Sequence, residues 1–233
     1  MKKLTIGSCF SGIGGIELGL EWTGGFETRW QIENDKYAKM VLRKNFPTVV
    51  RFDDIRNVDC KTLEPVDIIV GGYPCQPFSV IGKRKGENDD RYLWRDLLRI
   101  ICRIRPRYAL LENVPGHLSL GFGRVLGDLA EVGYDAEWQV LSASAVGAPH
   151  VRKRIFILAY PKSEQGNWIF KPGIWGDFKS GIRWEAEPNV GRVADGISNQ
   201  LHRLKCLGNA VVPQVSQKIG EMILNHENPL RQL

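Results

Sequence analysis

Leu4 to Phe10 is a short apolar run, followed directly by Ser11-Gly12-Ile13-Gly14-Gly15 and then by a helix-like stretch from Ile16 to about Trp22. A buried strand that turns on glycines straight into a helix constrains the chain strongly. It places the strand inside a sheet with the helix packed on its face, an α/β arrangement. The same arrangement suits a nucleotide-type ligand. Glycine lets the backbone approach closely, and the helix start offers free N–H groups. The spacing is not the full G-x-G-x-x-G fingerprint, and a tight turn of this kind also serves α/β proteins with no ligand there.

The pattern of short apolar runs and helical stretches continues. Thr28 to Glu33 reads as a second strand. Its terminal acid lies about twenty residues after the glycine turn, where a carboxylate can hydrogen-bond ribose hydroxyls. Asp35 can cap a helix over Lys36 to Asn45, with Pro47 beyond its end. Val49 to Phe52 is a third strand, ending at Asp53-Asp54-Ile55. A carboxylate there is either an acceptor for an adenine amino group or a ribose, or an ordinary loop acid. Val66 to Val70 forms a fourth strand and runs into Gly71-Gly72-Tyr73-Pro74-Cys75-Gln76-Pro77-Phe78-Ser79. The glycines allow a sharp turn, and two prolines bracket and stiffen Cys75. That is a good place for a nucleophile, although a lone cysteine is commonly just a small buried hydrophobe.

Val80 to Arg91 is a polar loop, and Tyr92 to Ile104 has helical spacing with Leu93, Leu97, Ile100 and Ile101 on one face. Tyr108 to Leu111 is a strand that delivers Glu112-Asn113-Val114, and a glutamate there lies on the ligand-binding edge of an open parallel sheet. Leu118 to Val132 is mostly helix, broken by glycines, and Ala136 to Leu141 and Ile155 to Tyr160 are the last strands. Between them, Arg152 and Arg154 share a side if the segment is extended. From Pro161 to about Asn199, Trp168, Phe170, Trp175, Phe178 and Trp184 alternate with Gly, Pro, Lys and Arg without period. These aromatics either pin an irregular loop to the main domain or touch nucleic acid. Gly208-Asn209-Ala210-Val211-Val212-Pro213 then leads into a C-terminal helix striped by Val215, Ile219 and Ile223.

A formal charge of +6, with basic clusters at Lys83-Arg84-Lys85 and Arg152-Lys153-Arg154, favours a polyanionic partner. The five cysteines are odd in number and widely spaced, which suits reduced thiols. No CxxC occurs and the four histidines are scattered, so no metal site is expected. No apolar run is long enough to span a membrane, and Gly7, Ser8 and Ser11 break any signal-peptide core, so a cytoplasmic protein is expected.

Taken in order, Phe10-Ser11-Gly12-Ile13-Gly14-Gly15, Glu33, Asp54-Ile55, Gly72-Tyr73-Pro74-Cys75-Gln76-Pro77-Phe78-Ser79, Glu112-Asn113-Val114, Arg152-Lys153-Arg154 and Gly208-Asn209-Ala210-Val211 resemble the cytosine-5 DNA methyltransferase family. The resemblance covers nearly the whole chain except Pro161 to about Asn199, and the compact build is similar to phage or prophage forms. It implies a Rossmann-like S-adenosylmethionine-dependent methyltransferase, with a mostly parallel sheet and helices on both faces. Residues 1–160 would form the catalytic and cofactor-binding domain, 161–199 a short irregular recognition segment, and 200–233 a C-terminal segment packing back.

By the same resemblance, Cys75 is the nucleophile that adds to carbon 6 of cytosine. Glu112 holds ring nitrogen 3, Arg154 contacts the base carbonyl, and Arg152 supports the site. Phe10, Gly12, Glu33, Asp54, Ile55, Pro74, Leu93, Asn209 and Val211 would bind S-adenosylmethionine, which leaves as S-adenosylhomocysteine. Gln76, Ser79, Lys83, Arg84 and Lys85 would meet DNA, with the target base flipped out of the duplex and Val80 to Arg91 closing over it. The expected partner is double-stranded DNA, acted on by a monomer in a bacterial cell or phage-infected host, as in restriction-modification. Departures are Ser8 and Cys9 where the family often has Asp-Leu, Asn34 where some members carry an aromatic, and His150 for a frequent glutamine. The short recognition segment implies a short or relaxed target. A transfer-RNA methyltransferase and a non-catalytic DNA-binding homologue are the alternatives.

Overall fold

A computed structural model describes residues 2–74, 93–164, 169–170 and 200–228. In chain order the elements are β1 (Leu4–Cys9), α1 (Gly15–Trp22), β2 (Phe26–Ile32), α2 (Lys36–Asn45), β3 (Val50–Phe52), β4 (Ile68–Gly71), α3 (Trp94–Ile104), β5 (Tyr108–Asn113), α4 (Phe122–Glu131), β6 (Tyr134–Ser142), β7 (Lys153–Pro161), α5 (Gln200–Asn209) and α6 (Pro213–Glu227). The strands form one sheet in the order β3-β2-β1-β4-β5-β7-β6. The first five in that order run parallel, whereas β7 is antiparallel to both β5 and β6.

Strand periodicity splits the core into two layers. Ile69, Ala109, Leu111, Ile155 and Ile157 face one way and pack with Trp94, Leu97, Ile100 and Ile101 of α3 and Phe122, Val125 and Leu129 of α4. Their neighbours Ile68, Val70, Tyr108, Leu110, Phe156 and Leu158 face the other way, onto Ile16 and Leu20 of α1 and Val215, Ile219 and Ile223 of α6. The near-continuous apolar reading of β4, β5 and β7 follows from this, because both faces are covered. All seven runs read as strands in the sequence are strands, and helices cover both faces.

Two elements differ from the sequence reading. The helical stretch over Leu118 to Val132 is broken at a glycine as expected, Gly121 at φ 82°, but the part before the break is a 3-10 turn at Pro115–Ser119 and only α4 after it is α-helical. The second is α5, a helix over Gln200–Asn209 to which the sequence reading assigned no element.

The α1–α6 packing depends on missing side chains. A Cβ at Gly19 would lie 2.0 Å from the Pro213 carbonyl oxygen, and one at Gly220 would lie 2.9 Å from Leu20. In an open helix, Gly to Ala gains about 1 kcal/mol. Here the obstacle is backbone, which cannot rotate away, and overpacking costs about 1–3 kcal/mol. Gly19→Ala is therefore expected to lower unfolding stability by about 1–2 kcal/mol in urea titration. An unchanged or raised midpoint would contradict this account of the packing.

Candidate active site

β1 lies mid-sheet. The chain leaves it toward β2 and β3 on one side, then crosses back to β4 on the other. At such a switch point the loops after adjacent strands diverge and leave a crevice beyond their C-terminal ends. A cavity of about 460 Å³ opens there, lined by Phe10, Gly12, Glu33, Pro74, Glu112, Arg154, Asn209 and Val211 among others. The sequence had singled out each of these eight. The volume lies within the range of about 300–1,000 Å³ usual for small-molecule sites.

One wall is built from the glycine turn and the end of β2. Phe10 and Gly12 both adopt φ 56°, an uncommon conformation for a phenylalanine and one that concentrates at functional sites. A Cβ built on Gly12 would meet nothing within 4 Å, so this part of the wall is open space. The Gly12 amide donates to Glu33 Oε2 at 2.7 Å, and the Asp35 amide donates to Oε1 at 2.8 Å. Burial nevertheless pushes the Glu33 pKa up, against the pull of these amides. Asp35 caps α2 through the Tyr37 and Ala38 amides and pairs with Lys205 at 3.1 Å. The Ala38 amide, with help from Lys205, holds its pKa low.

Asp35, Lys205, Cys206 and the buried Glu17 also line the cavity and were not anticipated. Asp35 had a signal, since the residue that caps α2 follows so closely on Glu33. The α5 residues had none. Asp54, Ile55 and Leu93 are not among the lining residues. Asp54 is engaged with Arg56 at 2.6 Å, Ile55 is buried in the core, and Leu93 packs against that same layer.

The other wall is acid and base. β5 is buried along its whole length and ends with Glu112-Asn113 at the crevice. Because β7 is antiparallel to β5, its first residues, not its last, reach this edge. That reversal brings Arg154 Nε to 2.9 Å from Glu112 Oε1. Arg152 donates to the Gly208 carbonyl at 2.7 Å, tying the segment before β7 to the end of α5. Glu112 is 8% exposed. Burial raises its pKa to about 7, although Arg154 and then Arg152 pull it down. Gly72 makes room for this carboxyl, since a Cβ there would lie 2.8 Å from Glu112 Oε2. The described chain reaches Pro74. Cys75, Gln76, Ser79, Lys83, Arg84 and Lys85 lie outside the described residues, as does nearly all of 161–199 beyond β7. Two described thiols line the crevice, Cys9 and Cys206, and of these Cys9 is fully buried, which pushes its pKa up and leaves it a poor nucleophile.

Residues 4–195 match the sequence model of the C-5 cytosine-specific DNA methylase family. The chain belongs to this family. Among curated members it is 39% identical over 168 residues to the Type II methyltransferase M.Bsp6I of Bacillus sp. strain RFL6, covering 69% of this chain and 53% of that protein. It is 33% identical over 215 residues to the orphan methyltransferase M.Rho11sI of Bacillus phage rho11s, covering 82% and 43%. The chain thus spans about half the length, or less, of these methylase relatives. Among solved methylase-fold structures, a putative DNA modification methyltransferase encoded within an Escherichia coli prophage matches with TM-score 0.59 at 29% identity, covering 69% of this chain and 47% of that one. A Spodoptera frugiperda DNMT2 variant matches with TM-score 0.61 at 26% identity, covering 71% and 52%. Among the described residues of this family member, no helix is long and apolar enough to cross a membrane.

The Glu112 pKa of about 7 lies above the ordinary 4.5, so the folded state binds this proton more tightly than the unfolded chain. The resulting stability is fully present below about pH 4.5 and is lost as pH rises through about 7. The stability of the unaltered chain relative to Glu112→Gln should therefore fall across that window and stay level outside it. Urea unfolding at a series of pH values checks this, and a flat difference would rule it out.

Proposed function

We propose that the chain transfers a methyl group from S-adenosylmethionine to carbon 5 of cytosine in double-stranded DNA, through a transient covalent bond to Cys75. The observation that carries this reading is that one crevice joins two chemistries. The glycine turn and Glu33 contribute one part of its lining, the Glu112–Arg154 pair another, and Pro74, one peptide bond before Cys75, lines the same crevice. The family to which the chain belongs supports the same reaction.

The residues fit the cofactor. A carboxylate pinned by two backbone amides presents its remaining lone pairs to hydroxyl groups, as a ribose requires, and the open wall at Gly12 admits a ligand closely. Phe10, Pro74, Asn209 and Val211 complete the enclosure. Bound there, S-adenosylmethionine supplies an electrophilic methyl group and leaves as S-adenosylhomocysteine. The remaining chemistry belongs to the protein. The Cys75 thiolate adds to carbon 6 of an extruded cytosine, and the displaced electron pair moves toward ring nitrogen 3 and the carbonyl oxygen. Glu112, whose pKa of about 7 lets it carry a proton near neutrality, meets that charge at nitrogen 3. Arg154 meets it at the carbonyl oxygen. Carbon 5 becomes nucleophilic and accepts the methyl group. Loss of its proton then restores the ring double bond and expels the thiolate.

In this reading residues 1–160 and 200–233 make the catalytic body, 161–199 contacts the target, and Gln76, Ser79 and Lys83 to Lys85 meet DNA beside the flipped base. The protein acts as a cytoplasmic monomer in a bacterial cell or phage-infected host. The test is methyl transfer from labelled S-adenosylmethionine to unmodified duplex DNA, with transfer RNA assayed in parallel. Trapping on duplex DNA containing 5-fluorocytosine should give a stable covalent adduct that Cys75→Ala abolishes. Glu112→Gln should slow turnover by about 10²-fold or more. Transfer confined to RNA, or an adduct that survives in Cys75→Ala, would refute the proposal. Sequencing of methylated cytosines should reveal a short or relaxed target, and a long strict site would contradict that expectation.

A further inference from the structure

The turn that leaves β4 is held by a buried polar pair to which the proposed mechanism assigns no role. Tyr73 is 3% exposed, and its hydroxyl lies 2.7 Å from His117 Nε2. Its ring packs against Trp94 and edge-on against His117. Its backbone carbonyl accepts from Asn113 Nδ2 at 3.1 Å. Residue 73 is thus fixed at its side chain and at its main chain by the segment that carries Glu112: Asn113 is the next residue, and His117 sits in the 3-10 turn that follows. One step before it, Gly72 lies against the Glu112 carboxyl, and one step after it, Pro74 lines the crevice.

The pair is an odd way to fill a core. His117 Nδ1 is buried without a hydrogen-bond partner among the described residues. Burial pushes the ring's pKa down, which favours the neutral form. Whichever tautomer is present, one buried polar atom stays unsatisfied, and such an atom is costly to keep. Phenylalanine at 73 and leucine at 117 would occupy similar space with no polar atom to bury. What they would lose is the direction that the hydrogen bond imposes.

We infer that the Tyr73–His117 hydrogen bond is a positioning device for catalysis, fixing the backbone of residues 72–74 against Glu112 and so setting the point from which the chain enters the nucleophile turn. This rests on the proposed methyl transfer. Both residues are positioning residues and neither touches the base. A small misplacement of a reacting group is enough to cost a large factor in rate, so the effect belongs in the covalent step and not in cofactor binding.

The experiment compares the unaltered chain with Tyr73→Phe, His117→Gln and the double variant Tyr73→Phe with His117→Leu. Replacing both partners by apolar groups is close to neutral for stability, so the double variant should fold with an unchanged or higher Tm. It should also bind S-adenosylmethionine with a Kd like that of the unaltered chain. Its rate of adduct formation with 5-fluorocytosine duplex DNA should fall by about tenfold to a hundredfold. Tyr73→Phe should show the same loss, whereas His117→Gln, which keeps a hydrogen-bonding group near the hydroxyl, should recover most of the rate. Trapping by the double variant and by Tyr73→Phe at the unaltered rate overturns the inference and leaves the proposed function standing. A rate that falls only in proportion to lost folded protein also overturns it. If the unaltered chain forms no adduct, the proposed function falls and the inference with it.

Discussion

A carboxylate and a guanidinium in contact at the sheet edge set the character of this molecule. The Arg154–Glu112 contact, at 2.9 Å, joins two side chains that are largely removed from water. Attraction at that distance is strong, yet the Glu112 pKa still rises, so desolvation outweighs both neighbouring arginines. A buried ion pair of this kind adds little to stability compared with an apolar substitute. What it does is hold a carboxyl with a raised pKa in a fixed place. The arrangement depends on strand direction. Had β7 run parallel to β5, Arg154 would lie at the opposite end of the sheet.

The rest of the scaffold supplies the space in front of this pair. β1 and β4 are adjacent and parallel, but the chain leaves β1 toward β2 and leaves β4 toward β5, so the loops beyond them separate. The glycine turn keeps its side of the gap open, and Gly72 keeps the other side clear of the Glu112 carboxyl. α5 closes the far end through Lys205 and Asp35, the latter already fixed as the cap of α2. The crevice is therefore assembled from segments distant in sequence, each held by a local reason of its own.

Much of this was readable from the residues. Strands with both faces covered announce themselves as unbroken apolar runs, which is why β4, β5 and β7 stood out. The glycine turn, Glu33 and Glu112 are recognisable because backbone conformation or strand position restricts what can stand there. The antiparallel course of β7 was not readable, since apolar periodicity carries no direction. Nor was α5: nothing in its sequence names its partners, and what ties it to the crevice is the Lys205–Asp35 ion pair, the stacking of His202 on Tyr37 and a carbonyl bonded to Arg152, contacts made only after the chain has folded. Asp54 shows the opposite difficulty. Its position at the end of a short strand suits a ligand contact and an ordinary loop acid alike, and in the fold it engages Arg56 beside it.

The interlock of α1 with α6 has a consequence for biosynthesis. Ile6, Ile68 and Val70 share their apolar layer with Val215, Ile219 and Ile223, so β1 waits for Pro213–Glu227 before that face is sealed. While the nascent chain is emerging, this greasy surface stays open to chaperones and to misassociation. The pocket wall next to α1 also stays incomplete until Val211 arrives. Interrupted translation upstream of these residues would thus yield a sticky fragment with an open apolar face and an unfinished pocket wall.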